Sequence, residues 1–174
     1  NPDEVTAGNL RAVYIPVSLL SDSGGLDALL DQAKAAGFNG VVFDLKDDRG
    51  CLQYASTVEQ AEAVLQTQES RLSVTPSLTK EALAAAALQI REKGLVPVPR
   101  LYAFKDQVAP YALASVKIGV QGSTNTVWHD ASLSKGGKPW MNPCSSEAHR
   151  YMVSLASELK AMGFELLMVD GVQF

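Results

Sequence analysis

The sequence has no long hydrophobic run and no block of basic residues. Its apolar stretches fall far short of the roughly 20 residues that a membrane-spanning helix needs, so we predict no membrane span. The 174 residues contain 15 Lys and Arg against 19 Asp and Glu, which gives a net charge of -4. Proteins that bind nucleic acid usually carry a basic face. We therefore predict no nucleic-acid partner.

Metal-ligating residues and phosphate-binding turns are also scarce. The two cysteines, Cys51 and Cys144, and the two histidines lack the clustered spacing of a metal motif. The cysteines either form a disulfide or both stay reduced, because their sequence positions do not give the Cα separation that decides it. The only glycine pair near the first strand, Gly24-Gly25, lacks the spacing of a dinucleotide-binding turn. We predict no metal site and no cofactor.

What is present is the composition of an ordinary globular protein. Apolar residues make up 47% of the chain and charged residues 20%, which suffices for a buried core and argues against intrinsic disorder. No linker or low-complexity segment divides the sequence. We predict a lead-in over residues 1–10 and one domain over residues 11–174.

One pattern occurs three times along the chain. An amphipathic helix ends at a glycine, an apolar residue follows, and a short apolar strand begins. Glycine suits the left-handed position that ends a helix, and continuous apolar strands are typical of a parallel sheet covered on both faces. The glycines are Gly37, Gly94 and Gly163, and the predicted strands cover residues 12–17, 40–45, 95–103 and 165–169.

The ends of the helices and one strand carry further signals. Thr79 is a candidate N-cap for the middle helix, and Ser145 or Ser146 for the last one. A short additional helix is predicted over residues 58–66. Pro97 and Pro99 interrupt the third strand, and proline lacks the N–H group that a strand ladder needs.

The order of elements predicts an α/β fold with right-handed crossovers. Four parallel strands and three main helices correspond to the N-terminal half of a TIM barrel, and an open doubly wound sheet is the alternative. A complete barrel typically needs about 250 residues. We therefore expect either that the chain is truncated at its C-terminus or that a second copy covers the open sheet edges by self-association.

Polar side chains gather where the predicted strands end. Asp44 and Lys46 are two residues apart, as are Arg100 and Tyr102, so each pair is expected to face one way. Asp170 ends the fourth strand. The carboxyl ends of parallel strands form the ligand-binding face of both candidate folds. Charges inside apolar runs indicate either a structural ion pair or an active site, and the residues leave both open.

Other polar residues have simpler interpretations. Asp47, Asp48 and Asp106 are expected to be solvated or to lie in turns. The long segment after the third strand contains Trp128, Trp140 and Asn142. Aromatic rings stack on sugar faces and asparagine binds hydroxyl groups, but the tryptophans are equally expected to anchor this loop.

Four segments in order resemble one protein family. They are VVFDLKD at residues 41–47, PVPRLYAFKD at 97–106, WMNP at 140–143 and VDGVQF at 169–174. The family consists of bacterial envelope proteins with a glycoside-hydrolase-like TIM barrel, distantly similar to the alpha-amylase type and long classed as a domain of unknown function. This chain departs from the family at Gln173, where the family commonly has Arg.

The resemblance implies a secreted or envelope-located bacterial glycosidase that acts on a polysaccharide or cell-wall glycan. It implies Asp170 as a catalytic carboxylate, with the second being Asp44 or a residue outside the chain. The expected substrate-binding residues are Lys46, Arg100, Tyr102, Trp128, Trp140, Asn142 and Gln173. A non-catalytic glycan-binding or envelope structural module is the alternative. A small-molecule oxidoreductase is a third hypothesis, against which the missing phosphate-binding turn argues.

Overall fold

The structure, a computed structural model, describes residues 4–173. Within these residues the strands and helices follow the predicted order, with two long insertions after the second and third strands of the main sheet. The strands are β1 (Ala12–Tyr14), β2 (Gly40–Lys46), β3 (Val96–Tyr102), β4 (Gly119–Val120), β5 (Ser123–Val127) and β6 (Met168–Asp170). The helices are α1 (Ser23–Ala35), α2 (Ala61–Leu72), α3 (Lys80–Glu92), α4 (Ala109–Ala112) and α5 (Ser146–Ala161).

The main sheet contains β1, β2, β3 and β6 in that spatial order, and every pairing is parallel. One face of the sheet packs against the helices, where Val41, Phe43 and Leu101 join a core that includes Leu83 and Leu155. The predicted half of a TIM barrel is confirmed, with α1, α3 and α5 as the crossover helices. Strands β1 and β6 are the two edges, and self-association across them stays a prediction.

The two prolines of β3 do not break the strand. The Val96 amide donates to the carbonyl of Asn39, just before β2, at 3.0 Å. Because neighbouring residues of a strand point their N–H groups to opposite sides, Pro97 and Pro99 face the side of β6. Strand β6 pairs with β3 only from Arg100 onward. The missing N–H groups therefore fall where β3 has no partner strand, and no ladder hydrogen bond is lost.

The helix ends follow the sequence signals. The Thr79 and Ser145 hydroxyls accept hydrogen bonds from backbone N–H groups in the first turns of α3 and α5, at 3.1 and 3.2 Å. Gly37, Gly94 and Gly163 have φ angles of 84°, 73° and 90°, the left-handed conformation expected after a helix. The additional helix, α2, begins and ends later than the predicted residues 58–66.

The cysteines are both free. Cys51 is buried and Cys144 is exposed, so of the two alternatives the reduced pair is the one observed. Burial raises the pKa of the Cys51 thiol to about 12, which keeps it protonated at neutral pH. Over residues 4–173, the helices are too short or too polar to span a bilayer.

A polar cluster in the helical layer is built around Glu158 of α5. Its carboxylate accepts hydrogen bonds from the Tyr54 hydroxyl at 2.8 Å, the Ser56 hydroxyl at 2.6 Å and the Lys80 ammonium at 2.6 Å. The amide and hydroxyl of Thr57 donate at 2.9 Å. Burial opposes ionisation, but these donors outweigh it and lower the pKa of Glu158 to about 2.

We expect Glu158→Gln to lower the free energy of unfolding at pH 7 by about 2 kcal/mol, because a charge-assisted network loses its anion. A depressed carboxyl pKa stabilises the folded state above the unfolded pKa, and this stabilisation is lost as pH falls through the folded pKa. The difference in the free energy of unfolding between wild type and variant should therefore shrink as the pH falls from 4.5 to about 2. Urea denaturation at a series of pH values measures it, and a constant difference would contradict the expectation.

Candidate functional site

The concave face of the sheet, opposite the helices, carries a set of polar and aromatic side chains at the carboxyl ends of the strands. We call this set the groove. It consists of Tyr14 on β1, Asp44 on β2, Arg100 and Tyr102 on β3, and Asp170 on β6. The strand register places Asp44 beside Arg100 and Tyr102 beside Asp170. Four of the five were predicted to meet at one rim, and the structure brings them together.

Asp44 and Arg100 form a bidentate ion pair in the groove. Arg100 Nε lies 2.5 Å from Asp44 Oδ1 and Nη2 lies 3.0 Å from Oδ2. The Tyr14 hydroxyl also donates to Asp44 Oδ2, at 3.3 Å. The hydrogen bonds to Asp44 raise the pKa of Arg100 further above its ordinary value. Both oxygens of Asp44 are thus bound by protein donors.

Two tyrosine rings lie next to the guanidinium. Arg100 Cζ is 5.2 Å from the ring centroid of Tyr14 and 5.0 Å from that of Tyr102, within the range of cation–π attraction. Burial raises the pKa of both phenols, so both keep their protons at neutral pH. The sequence motifs do not single out Tyr14. The predicted first strand runs to residue 17 and places Tyr14 in its middle, whereas the observed β1 ends at Tyr14, level with Val42 on the neighbouring strand.

Asp170 is the groove carboxylate that faces solvent. Its side chain is 50% exposed, and Oδ2 lies 3.9 Å from Arg100 Nη1. Oδ1 accepts a hydrogen bond from the Gly171 amide at 2.7 Å. Gly171 has a φ of 61°, and a Cβ there would lie 3.2 Å from the side chains of Tyr102 and Lys105. The glycine therefore lets the chain after β6 pack closely against β3, and one oxygen of Asp170 stays accessible.

Lys46 lies outside the groove, contrary to the expectation that it faces the same way as Asp44. The register shifts between these two residues, so that Asp44 pairs with Arg100 but Lys46 pairs with Leu101. A bulge of this kind reverses the alternation of side chains along a strand. Lys46 is fully buried, and its ammonium lies 2.7 Å from Asp106 Oδ2. This position leaves it no direct access to a ligand in the groove.

Asp106 is the second departure from expectation. Instead of being solvated it is fully buried, and its Oδ1 accepts hydrogen bonds from the amides of Val108 and Ala109, both at 2.7 Å. Burial raises the pKa of Asp106, although Lys46 and the two amides oppose the shift. Hydropathy alone could not reveal this pair, since its partners are 60 residues apart in sequence. Asp47 does form the predicted turn, accepting from the amides of Arg49 and Cys51.

The loop residues occupy varied positions. Trp140 is half-buried, donates from Nε1 to Asp130 at 3.0 Å, and its backbone pairs with Lys105 beyond the end of β3. Trp128 is half-buried after β5. Asn142 accepts from the Cys144 amide at 2.9 Å, a turn that leads into α5. Gln173 is exposed beyond β6.

Among residues 4–173, no group of three or more His, Cys, Asp or Glu side chains could hold a metal ion. The predicted motif at 169–174 ends at Phe174, which lies outside the described residues.

We expect Asp44→Asn to destabilise the protein by about 1.5–3 kcal/mol, the usual cost of losing hydrogen bonds to a charged group. Arg100, only 22% exposed, would lose its carboxylate. Tyr14→Phe removes only the longer hydrogen bond to Asp44 and should cost less than about 1 kcal/mol. Thermal denaturation of both variants measures this, and equal losses would show that the ion pair contributes little.

The sequence matches one protein family. Residues 12–174 match the family whose description reads "Putative glycosyl hydrolase domain". The chain belongs to this family. Membership supports a glycoside-hydrolase-like role, with a carbohydrate as the class of substrate. Among proteins of curated function, none matches the sequence.

Solved structures show the same fold. A hypothetical protein from Ruminiclostridium thermocellum is 20% identical, with a TM-score of 0.71 over 93% of this chain and 77% of that one. The Streptomyces plicatus N-acetyl-beta-hexosaminidase bound to Thio-NAglucal is 14% identical, with a TM-score of 0.64 over 94% of this chain and 33% of that one.

The Streptomyces coelicolor beta-N-acetylhexosaminidase of glycoside hydrolase family 20 is also 14% identical, with a TM-score of 0.60 over 88% of this chain and 31% of that one. This chain thus spans about a third of the hexosaminidases. At these identities the likeness establishes the barrel fold alone.

Proposed function

We propose that this protein hydrolyses a glycosidic bond in a polysaccharide or cell-wall glycan, with Asp170 as the carboxylate that acts on the bond. The observation that carries the proposal is the groove itself. A half-exposed carboxylate lies beside a guanidinium and two tyrosines at the carboxyl ends of four parallel strands. TIM-barrel enzymes hold their active sites at this end of the strands.

The chemistry assigns different tasks to the groove residues. Glycoside hydrolysis adds water across the bond: an acid protonates the leaving oxygen, and a carboxylate stabilises or attacks the anomeric carbon or activates the water. Asp170 has an oxygen available for such a task. Asp44, also predicted to be catalytic, has both oxygens bound and in this proposal holds Arg100. Arg100 and Tyr102 then bind sugar hydroxyls, and stacking of sugar on Trp128 or Trp140 stays a prediction.

One observation favours a second candidate function, glycan binding without cleavage. Glycosidases usually use two carboxylates about 5 to 9.5 Å apart. Within the groove as defined, only Asp170 has an oxygen that protein donors leave accessible. A groove of this kind would bind a sugar through its charges and tyrosines and leave the bond intact.

A glycan panel separates the two candidates. The natural protein is incubated with soluble polysaccharides and purified cell-wall glycans, and released reducing ends are measured beside binding by calorimetry. Cleavage of any member supports the hydrolase, and saturable binding without cleavage supports the binding module. Neither cleavage nor binding across the panel would overturn both.

We also propose that the protein works in the bacterial cell envelope or outside the cell. The four motifs that resemble envelope proteins support this location. Fractionation of the source cells followed by immunodetection tests it, and recovery in the cytoplasmic fraction alone would overturn it.

A further inference from the structure

Lys46 is buried on the helix side of the sheet, and it hydrogen-bonds the backbone of the strand that carries Arg100 and Tyr102. Its ammonium donates to the carbonyl oxygens of Tyr102 at 2.6 Å and Ala103 at 3.2 Å. It also lies 2.7 Å from Asp106 Oδ2. Lys46 of β2 thus binds two consecutive carbonyl groups at the end of β3. The Asp106 carboxylate, which lies beyond that strand, holds the Lys46 side chain in place.

The same stretch of β3 holds the strand that carries Asp170. The Ala103 amide donates to the Asp170 carbonyl at 2.7 Å, and the Phe104 amide donates to the Gly171 carbonyl at 3.1 Å. The carbonyl of Ala103 is bound by Lys46, while its amide is bound by Asp170. A displacement of residues 102–104 would therefore move the groove carboxylate.

The loops after β2 and β3 also hold the Asp106 carboxylate in place. Asp106 Oδ1 accepts two amides at the start of α4, and its carboxylate fills the space beside Gly50 where another residue would have a Cβ. The loop after β2 and the loop after β3 thus meet at one carboxylate. This arrangement restricts movement of both loops, which follow the strands that carry Asp44 and Arg100.

We propose that the Lys46–Asp106 pair is a positioning element that fixes the end of β3 and, through it, the place of Asp170 in the groove. Its catalytic consequence rests on the proposed function. Burying an ion pair costs desolvation that apolar side chains of similar volume avoid. What apolar side chains cannot supply is a pair of directed hydrogen bonds to adjacent carbonyl groups. The pair therefore contributes geometry rather than net stability.

The double variant Lys46→Met/Asp106→Leu separates geometry from stability, because such replacements often keep a protein folded. We expect cooperative unfolding to persist while amide hydrogen exchange, followed by NMR, becomes at least tenfold faster at Ala103 and Phe104. The Ile15 amide, which donates to Val42 across β1 and β2, is the internal reference and should keep its rate. Lys46→Met/Asp106→Asn leaves no ammonium buried without a partner and keeps an oxygen for the Val108 and Ala109 amides. It should accelerate exchange at the same two amides and serves if the first double variant does not fold.

Turnover supplies the second measurement. We expect kcat of the double variant to fall at least tenfold on a glycan that the wild type cleaves. Glu158→Gln, which disturbs a buried network away from the groove, is the matched control and should retain kcat. Unchanged exchange at Ala103 and Phe104, or unchanged kcat with altered exchange, would overturn the positioning role. Full turnover by Asp170→Asn would instead overturn the proposed function, and the exchange measurement would still test the pair.

Discussion

Asp170→Asn is expected to lower kcat about 10²–10⁴-fold, the usual contribution of a positioned acid or base, on any glycan that the wild type cleaves. An amide can neither take up nor release the proton, nor form the bond that a carboxylate forms at the anomeric carbon. Stability should hardly change, because the side chain is 50% exposed and its ion-pair distance to Arg100 is 3.9 Å. Exposed pairs are worth at most about 1 kcal/mol, so we expect the Tm to stay within about 3 °C.

The control for this experiment is Asp31→Asn on α1. Asp31 is also an exposed aspartate in an ion pair, with Lys93 at 2.7 Å, but it lies in the helical layer. It should leave kcat unchanged and shift the Tm by a similar small amount. A variant at Asp170 that keeps full turnover and melts several degrees lower would show that this carboxylate only pairs with Arg100.

Much of the fold could be predicted because its determinants are local in sequence. A glycine after an amphipathic helix marks the same junction three times, and Gly37, Gly94 and Gly163 all adopt the left-handed conformation that this requires. The N-caps at Thr79 and Ser145 depend only on residues within one turn. The parallel sheet follows from short apolar strands joined by crossover helices.

The candidate site was predictable where the alternation of side chains along a strand is regular. Arg100, Tyr102 and Asp170 meet as expected, because β3 and β6 pair without a shift. Lys46 does not join them, because the register shift after Asp44 turns it toward the helices. A bulge adds a residue on one strand only, and no feature of the local sequence marks it here.

The burial of Asp106 was the other feature that could not be predicted from the sequence. Asp106 follows a strand and resembles a solvated turn residue, yet its environment comes from three separate segments. Lys46 lies on β2, Gly50 lies in the loop after it, and the amides of α4 lie beyond. Such a site depends on contacts distant in sequence, which composition and periodicity do not report.

Gly50→Ala is expected to destabilise the protein by about 3–5 kcal/mol through two separate effects. Gly50 has a φ of 86°, a conformation that costs a residue with a side chain about 1–3 kcal/mol. The added methyl group would also overlap the Asp106 carboxylate. That carboxylate cannot move aside without breaking its ion pair with Lys46 and its bonds to two amides.

The matched control is Gly122→Ala, because Gly122 has a similar φ of 81° but no neighbouring atom within 4 Å of the place that an added methyl group would take. Gly122→Ala should lower the free energy of unfolding, measured in urea, only by the conformational cost of about 1–3 kcal/mol. The excess loss at Gly50 then measures the close approach to Asp106. A Lys46→Met/Asp106→Ala background removes the carboxylate without leaving a buried ammonium unpaired, so Gly50→Ala should cost no more there than Gly122→Ala. Equal losses at the two glycines in the wild-type background would show that Asp106 yields, and that the two loops are not held together at this carboxylate.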